Sequence, residues 1–437
     1  MIGVSILNAD PSIPLNSISQ ILQAALEAAD PYELVCRNLE VQGDQLRVGN
    51  NEYCLGRNSR VVVVGLGKAG IAMTKAAEAQ LGSRIERAVC VCKAISTGQE
   101  LPRAEVIQSA HPVPDERSVA AARRIVQVVQ GLTKDDLVLL LLSGGGSALA
   151  CLPSAGLSLA DLQQVTNLLL KSGATINEIN TVRRHLDDFK GGGFLRMAHP
   201  ARVAVLVLSD VIGNSLEAIA SGPAIKHDTS YADALAILQK FGPVAETPAK
   251  VLAYLKERSA LSATQEAGGN AGVESAYHAI IGSNTISLEA AQQKAVALGF
   301  QAQIVSRDLH GEARTACLEM LRLDGARPFV LLAGGETTVT VKGRGLGGRN
   351  LEVALGAVEP LSRLHNTVVA TLATDGEDGP TDAAGAVVAS ASQPDMPLVR
   401  QCLENNDSYT YFSRMGGLIK TGPTGTNVND ITLVMGY

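Results

Sequence analysis

The run VVVVGLGKAGIAM sets Gly65, Gly67 and Gly70 between an apolar stretch and a helical pattern. This is the G-x-G-x-x-G spacing, whose glycines let backbone approach a dinucleotide pyrophosphate. A nicotinamide site also expects an acidic residue ~20 positions on, at the end of the next strand. Here that strand, AVCVC, ends in Lys93, and no Asp or Glu is present there. Lys68 lies inside the turn, where a cation can meet the charge that develops on a transferring phosphoryl group. The P-loop pattern G-x-x-x-x-G-K-[ST] does not occur. Phosphate or substrate contact, dinucleotide binding and a plain strand-to-helix turn all remain open for this segment.

A second segment, LVLLLLSGGGSALA, follows an apolar strand with Ser143, Gly144, Gly145, Gly146 and Ser147. Successive glycines permit positive φ and expose consecutive N–H groups, a concave donor set suited to anions. A structural turn is the alternative. A third, INTVRRHLDDFKGGG, gathers Asn180, Arg183, Arg184, His185 and Lys190 on one helical stretch. Arg184 and Asp188 are spaced as an i,i+4 surface pair, and His185 alone reads as a hydrogen-bonded structural residue. In a fourth, VLVLSDVIGN, a strand delivers Ser209 and Asp210 at its C-terminal end, where open α/β sheets hold ligands. A carboxylate there can orient a hydroxyl, accept a proton, bind a hydrated Mg²⁺ or merely cap a helix.

The C-terminal third carries LLAGGETTVTVKGRGLGGRN and LATDGEDGPTDAAGA. Glu336 follows a strand end, and Lys342, Arg344 and Arg349 sit among glycines, with arginine offering a planar donor fork to carboxylate or phosphate. Asp375, Glu377, Asp378 and Asp382 cluster after a strand without meeting the EF-hand pattern. One or two of them could meet Mg²⁺ that bridges to nucleotide phosphates. The loop Thr421–Asn427 (TGPTGTN) is either a further ligand loop or a turn before the last strand.

Elements must bring these segments together. Strand candidates are Val61–Val64, Ala88–Cys92, Leu137–Leu142, Val203–Leu208, Ala279–Ile281, Ala302–Val305, Phe329–Leu332, Val368–Leu372 and Ile431–Val434. Their continuous Val/Ile/Leu runs read as parallel strands covered on both faces. Helical patterns at Ser17–Ala28, Ile71–Leu81, Ser118–Gln130, Leu159–Lys171, Tyr231–Leu238 and Leu288–Ala297 alternate with them. The expected fold is α/β with two α/β domains, a larger N-terminal Rossmann-like three-layer sandwich over 1–265 and a smaller C-terminal one over 270–437. The polar stretch Ser262–Asn270 marks the boundary. A ligand in an inter-domain cleft is the usual arrangement for such a chain.

The chain has 437 residues, a net charge of −6, 46% hydrophobic residues and no Trp. That is ample material for packed cores, and it excludes a disordered chain. The acidic balance speaks against a nucleic-acid partner. Seven scattered cysteines without a C-x-x-C pair give no zinc ribbon or thioredoxin motif. They suit a reducing compartment. The first residues lack a basic n-region before an apolar one, and no ~20-residue apolar run occurs. The expectation is a soluble cytoplasmic protein with no membrane partner, and homo-oligomerisation is left open.

Taken in order, GLGKAGIAM, HPVPDERS, LLSGGGSAL, INTVRRHLDDFKGGG, LVLSDVIGN…IASGPA, GGETTV…GLGGRNLE, TDGEDGPTDAAGA and TGPTGTNVND resemble the glycerate 2-kinase family, whose C-terminal part is the MOFRL domain. The match extends from about Val61 to the C-terminus. The resemblance implies ATP-dependent phosphorylation of D-glycerate at its 2-hydroxyl, giving 2-phosphoglycerate, with Mg²⁺ as cofactor. It makes Lys68 and Arg349 the central residues. Family members commonly carry Pro or Leu and then Gly-Asp after the SDV tripeptide, where this chain has Ile212, Gly213 and Asn214, so Asp210 is the carboxylate expected to act. On this reading Lys68, Arg349 and Asp210 are catalytic. Ser143, Gly144, Gly145, Gly146, Ser147, Arg183, Lys190, Glu336 and Asp375 hold nucleotide, metal or substrate. Some relatives carry the label hydroxypyruvate reductase, so an NAD(P)H-dependent reductase is the rival, with a non-catalytic anion-binding module as a third reading.

Overall fold

Five of the apolar runs become strands of one sheet in the computed structural model, which describes residues 3–95, 100–241, 246–264, 275–323 and 325–437. That sheet has six strands in the order Tyr277–Gly282, Arg202–Leu208, Leu137–Leu142, Val61–Leu66, Ile85–Cys92 and Ala104–Gln108. Val61–Leu66 pairs in parallel with both Leu137–Leu142 and Ile85–Cys92. Every residue of Val61–Leu66 and Leu137–Leu142 is buried, as central strands with two covered faces require. The edge strand Ala104–Gln108 escapes the sequence reading because AEVIQ holds only two large apolar residues in a row and stays partly exposed. A separate three-stranded antiparallel sheet over 39–54 was likewise not foreseen, its strands being four residues each.

Asp136 ties the lower edge of this sheet together. Its carboxylate accepts from the Arg60 amide at 2.8 Å, from Arg60 Nη2 at 2.7 Å and from the Thr133 amide at 2.6 Å. Burial works to raise its pKa, but the Arg60 guanidinium and the amides of Thr133 and Arg60 outweigh it and hold the carboxyl well below the usual carboxylate range. The sign follows from linkage. The stabilisation is complete above the unfolded pKa and is lost as pH falls through the depressed folded value. Asp136→Ala should destabilise by about 2–3 kcal/mol in urea unfolding, since buried amides lose their acceptor. The gap from the parent should narrow as the unfolding is repeated at progressively lower pH.

The second sheet has seven strands in the order Ser5–Leu7, Leu418–Lys420, Gly385–Ala389, Thr367–Ala373, Asp430–Gly436, Phe329–Gly335 and Gln301–Leu309. Here the all-parallel expectation is corrected. Gln301–Leu309 and Phe329–Gly335 are parallel, but Asp430–Gly436 runs antiparallel to both of its neighbours, and Thr367–Ala373 is antiparallel to Gly385–Ala389. Continuous apolar runs record burial on two faces, and that condition does not fix strand direction. One face carries Val330, Leu332, Ile431 and Leu433 against helices Leu15–Glu27 and Asn284–Ala297. The other carries Leu331, Ala333 and Val434 against helix Arg349–Leu361.

The chain divides into two compact units, one of residues 31–208 and 214–281, the other of 1–30, 209–213 and 282–437. The first thirty residues join the C-terminal sheet because Ile18, Ile21, Leu22 and Ala25 of the first helix bury against it. The linker expected at Ser262–Asn270 falls largely outside the described residues. Among the described residues, no helix is long and apolar enough to cross a membrane.

Candidate functional site

In the unit of the parallel sheet, two loops leave adjacent strands side by side. The amide of Gly67 donates to Val91 O at 3.1 Å, that of Lys68 to Gly144 O at 2.9 Å, that of Ala69 to Ser143 Oγ at 3.1 Å and that of Gly70 to Gly67 O at 3.1 Å. The N–H groups of the G-x-G-x-x-G turn are therefore spent inside the protein. Gly67 has φ +133°, and a Cβ there would lie 2.2 Å from Ser143 Oγ, so this glycine serves the close approach of the two loops. Only the Lys68 side chain leaves the turn. It is exposed and makes no ion pair among the described residues.

The neighbouring loop is the reverse. Ser143 N is bonded to Leu66 O at 2.9 Å, but among the described residues the amides of Gly144, Gly145, Gly146 and Ser147 meet no acceptor. Gly145 is left-handed at φ +85°. Gly144 and Gly146 are buried, and a buried amide without an acceptor costs ~1–3 kcal/mol, so such a row marks a place for an anion. A Cβ on Gly145 would stand 3.0 Å from the His111 ring and 3.4 Å from the Lys68 stem, which places those two side chains beside the loop. Burial, then the charges of Lys68 and Lys93, lower the His111 pKa, which favours the neutral imidazole. Sequence reasoning gave His111 no role. Its signal was the HPVP segment, which carries no mechanism on paper.

A cavity of about 450 Å³ opens from this loop, lined by His111, Gly145, Ser147, Arg183, Asp187 and Lys190 among others. Arg183 is half-buried and bonds only Thr166 Oγ1, at 3.4 Å, with no carboxylate in ion-pair range among the described residues. Burial lowers its pKa against the pull of Asp187. Lys190 is buried, and its ammonium is met by Asp187 and by Ala150 O at 3.3 Å. Its charge is thus compensated within the fold. Ser147 Oγ lies 3.0 Å from Ser221 Oγ, which sits in a left-handed pair of non-glycine residues, Ala220 and Ser221. Arg184 pairs with Glu217 at 3.0 Å rather than with Asp188, correcting the i,i+4 expectation. His185 is structural, its ring nitrogens set against Thr181 O and Thr229 O.

In the unit of the mixed sheet, Arg349 opens helix Arg349–Leu361. Its guanidinium reaches both carboxylate oxygens of Asp430 and, at 3.1 Å, Glu336 Oε1. Register explains the meeting. Asp430 begins the strand that pairs with both neighbours and stands opposite Gly335 and Ala373, the last residues of those strands. Burial opposes the Arg349 charge, but the hydrogen bond and charge of Asp430 outweigh it and raise its pKa. The first amides of the helix are held by Asp378, which accepts from Asn350 N at 3.0 Å and Leu351 N at 2.7 Å. Gly348 is needed there, since its Cβ would lie 2.3 Å from Asp378 Cγ.

Asp375 follows the next strand end, accepting from Glu377 N at 3.2 Å, and its carbonyl holds Thr424 N at 3.1 Å. The TGPTGTN loop is thereby tied to the same strand end. Asp210, half-exposed, belongs to this unit with Ser209. Asp382 is taken by Tyr409 and Lys420. Among the described residues no group of three His, Cys, Asp or Glu is placed to hold a metal.

Two family models match the chain. One, described as a domain of unknown function (DUF4147), covers residues 17–256, and the MOFRL family covers 329–430. The chain is 40% identical over 430 residues to a "Glycerate 2-kinase" of Pyrococcus horikoshii, covering 95% of this chain and 96% of that one. It is 38% identical to a "Putative hydroxypyruvate reductase" of Agrobacterium vitis, covering 96% and 93%. A crystal structure of glycerate kinase from Thermotoga maritima superposes with a TM-score of 0.85 at 36% identity, covering 97% of this chain and 99% of that one. With a row of open amides beside a cation and near-complete alignment to named kinases, the chain belongs to the glycerate 2-kinase family, a DUF4147 region followed by a MOFRL domain.

Proposed function

We propose that this chain is a glycerate 2-kinase that transfers the γ-phosphoryl group of ATP to the 2-hydroxyl of D-glycerate, giving 2-phosphoglycerate and ADP. The observation that carries it is the 40% identity to the Pyrococcus glycerate 2-kinase over nearly the whole of both chains. Both substrates are anions, and the four acceptor-free amides from Gly144 to Ser147 supply donors for the phosphates. Phosphoryl transfer leaves little covalent work to the protein, so catalysis rests on positioning and on charge. Lys68 stabilises the transferring group. Arg349, oriented by Asp430 and Glu336, neutralises charge on its equatorial oxygens. The proton of the 2-hydroxyl passes to a carboxylate or imidazole, for which Asp210 and His111 are the candidates. Arg183 supplies a further cation to the nucleotide.

Mg²⁺ would supply positive charge to offset that of the nucleotide phosphates, and a hydrated ion of this kind would need only one or two carboxylates from the protein. Asp375 suits that part, since only one of its oxygens is engaged among the described residues.

The Agrobacterium relative's name favours a reductase as the second reading. The internally bonded amides of the Gly67–Gly70 turn argue against it, for they leave no donors to a pyrophosphate there. An enolase-coupled assay separates the readings. With D-glycerate and ATP, enolase alone should yield phosphoenolpyruvate without an added mutase. A product that requires a mutase would mean the 3-hydroxyl is phosphorylated. Oxidation of NAD(P)H by hydroxypyruvate, with no ADP formed, would replace the kinase with the reductase.

A further inference from the structure

The cavity beside the triglycine loop is far larger than a three-carbon acid needs. Its volume of about 450 Å³ falls within the ~300–1,000 Å³ common for drug-sized ligands. Its walls are mostly aliphatic, with Pro112 and Val113 from one segment and Leu162 and Leu170 from helix Leu159–Lys171. Val113 and Leu170 are 61% and 57% exposed. Glycerate, with an oxygen on every carbon, would gain nothing from such walls, whereas a flat heterocycle would.

We propose that this cavity is the subsite for the base and ribose of the nucleotide, with the Gly144–Ser147 amides marking where its phosphates begin. The proposal rests on the kinase reading and adds to it the place of the nucleoside. Gly145 and Ser147 line the cavity themselves, so its contents adjoin the open amides. Asn167 is exposed, and its amide has no partner among the described residues. An amide presents a donor and an acceptor side by side, the pattern that matches the N6/N7 edge of adenine. Arg183, which has no carboxylate in ion-pair range among the described residues, offers a cation. Aliphatic walls, one amide and a guanidinium are the groups that a purine nucleoside would use.

Adenosine tests this, because it lacks the phosphates that Lys68 or the loop would attract. Calorimetry should show adenosine binding to the parent protein and ~10-fold weaker binding to Leu170→Glu, whose exposed position tolerates the change. In steady-state assays Leu170→Glu should raise KM for ATP ~10-fold and leave KM for D-glycerate within ~2-fold. Asn167→Leu should narrow the preference for ATP over GTP. Circular dichroism melts establish that both variants fold. Absence of adenosine binding, equal binding by Leu170→Glu, or a rise in KM for glycerate alone would overturn the proposal. Failure of the kinase reading would appear separately, as no glycerate-dependent ADP from the parent, while adenosine binding still reports on the cavity.

Discussion

Lys68→Ala is expected to lower kcat for glycerate phosphorylation by ~10³-fold or more while leaving the protein as stable as the parent. The two halves of that expectation come from different atoms. The Lys68 amide is fixed to Gly144 O and stays so in alanine, so the spacing of the two loops survives. The side chain is exposed and makes no ion pair among the described residues, so its loss should move stability by less than about 0.5 kcal/mol. Its charge, however, is the one feature of the glycine turn not consumed by the fold. A cation aimed at a transferring phosphoryl group acts on the transition state more than on the ground state. The loss should therefore fall on kcat, with KM for ATP little changed, and Lys68→Arg should recover part of it. Product-coupled steady-state kinetics with a parallel thermal melt makes the check. A fall in kcat of less than ~10-fold with an unchanged melt would remove Lys68 from the chemistry.

That turn also shows where a sequence pattern is informative and where it is not. The glycines at 65, 67 and 70 announce close packing and a strand-to-helix turn, and both are present. The pattern has no means of saying which amides are left over, because the acceptors for Lys68 and Ala69 sit more than seventy residues away, on Gly144 and Ser143, and the one for Gly67 is on the next strand, at Val91. The triglycine loop is legible for the opposite reason, since its donors meet no acceptor among the described residues and the glycines themselves are the device. Lys190 reads on paper as one of several cations on a helical stretch, but helix Ile176–Leu186 ends before it, and in the turn that follows Asp187 neutralises it. The central strands of both sheets are legible from apolar runs, whereas the short or partly exposed ones, Ser5–Leu7, Ala104–Gln108, Gly385–Ala389 and Leu418–Lys420, are not. The antiparallel course of Asp430–Gly436 was not, and that course is what carries Asp430 to the ends of two neighbouring strands. The partner of Arg349, eighty-one residues downstream, was invisible as a result.

Arg349→Ala should lose more activity than any other single change in this unit, ~10³–10⁵-fold if it acts as arginines do on a transferring phosphoryl group. The loss alone would be ambiguous. Asp430 has a side chain only 10% exposed, and removing its guanidinium partner strands a buried carboxylate, which typically costs about 3–5 kcal/mol. An unstable protein would also be inactive. The double variant Arg349→Ala/Asp430→Ala separates the causes, because it removes the stranded charge along with the cation. It should recover most of the lost stability, since deleting both members of a buried pair is far milder than deleting one. If Arg349 touches the transferring group, kcat should remain at the floor in this refolded double variant. Arg349→Lys should also stay low, because an ammonium cannot hold both oxygens of Asp430 and present a planar fork elsewhere. Should activity return together with stability, Arg349 would be a structural clamp between strand ends, and the catalytic cation would have to be sought elsewhere. Chemical denaturation and kcat measured on the same preparations decide between the two.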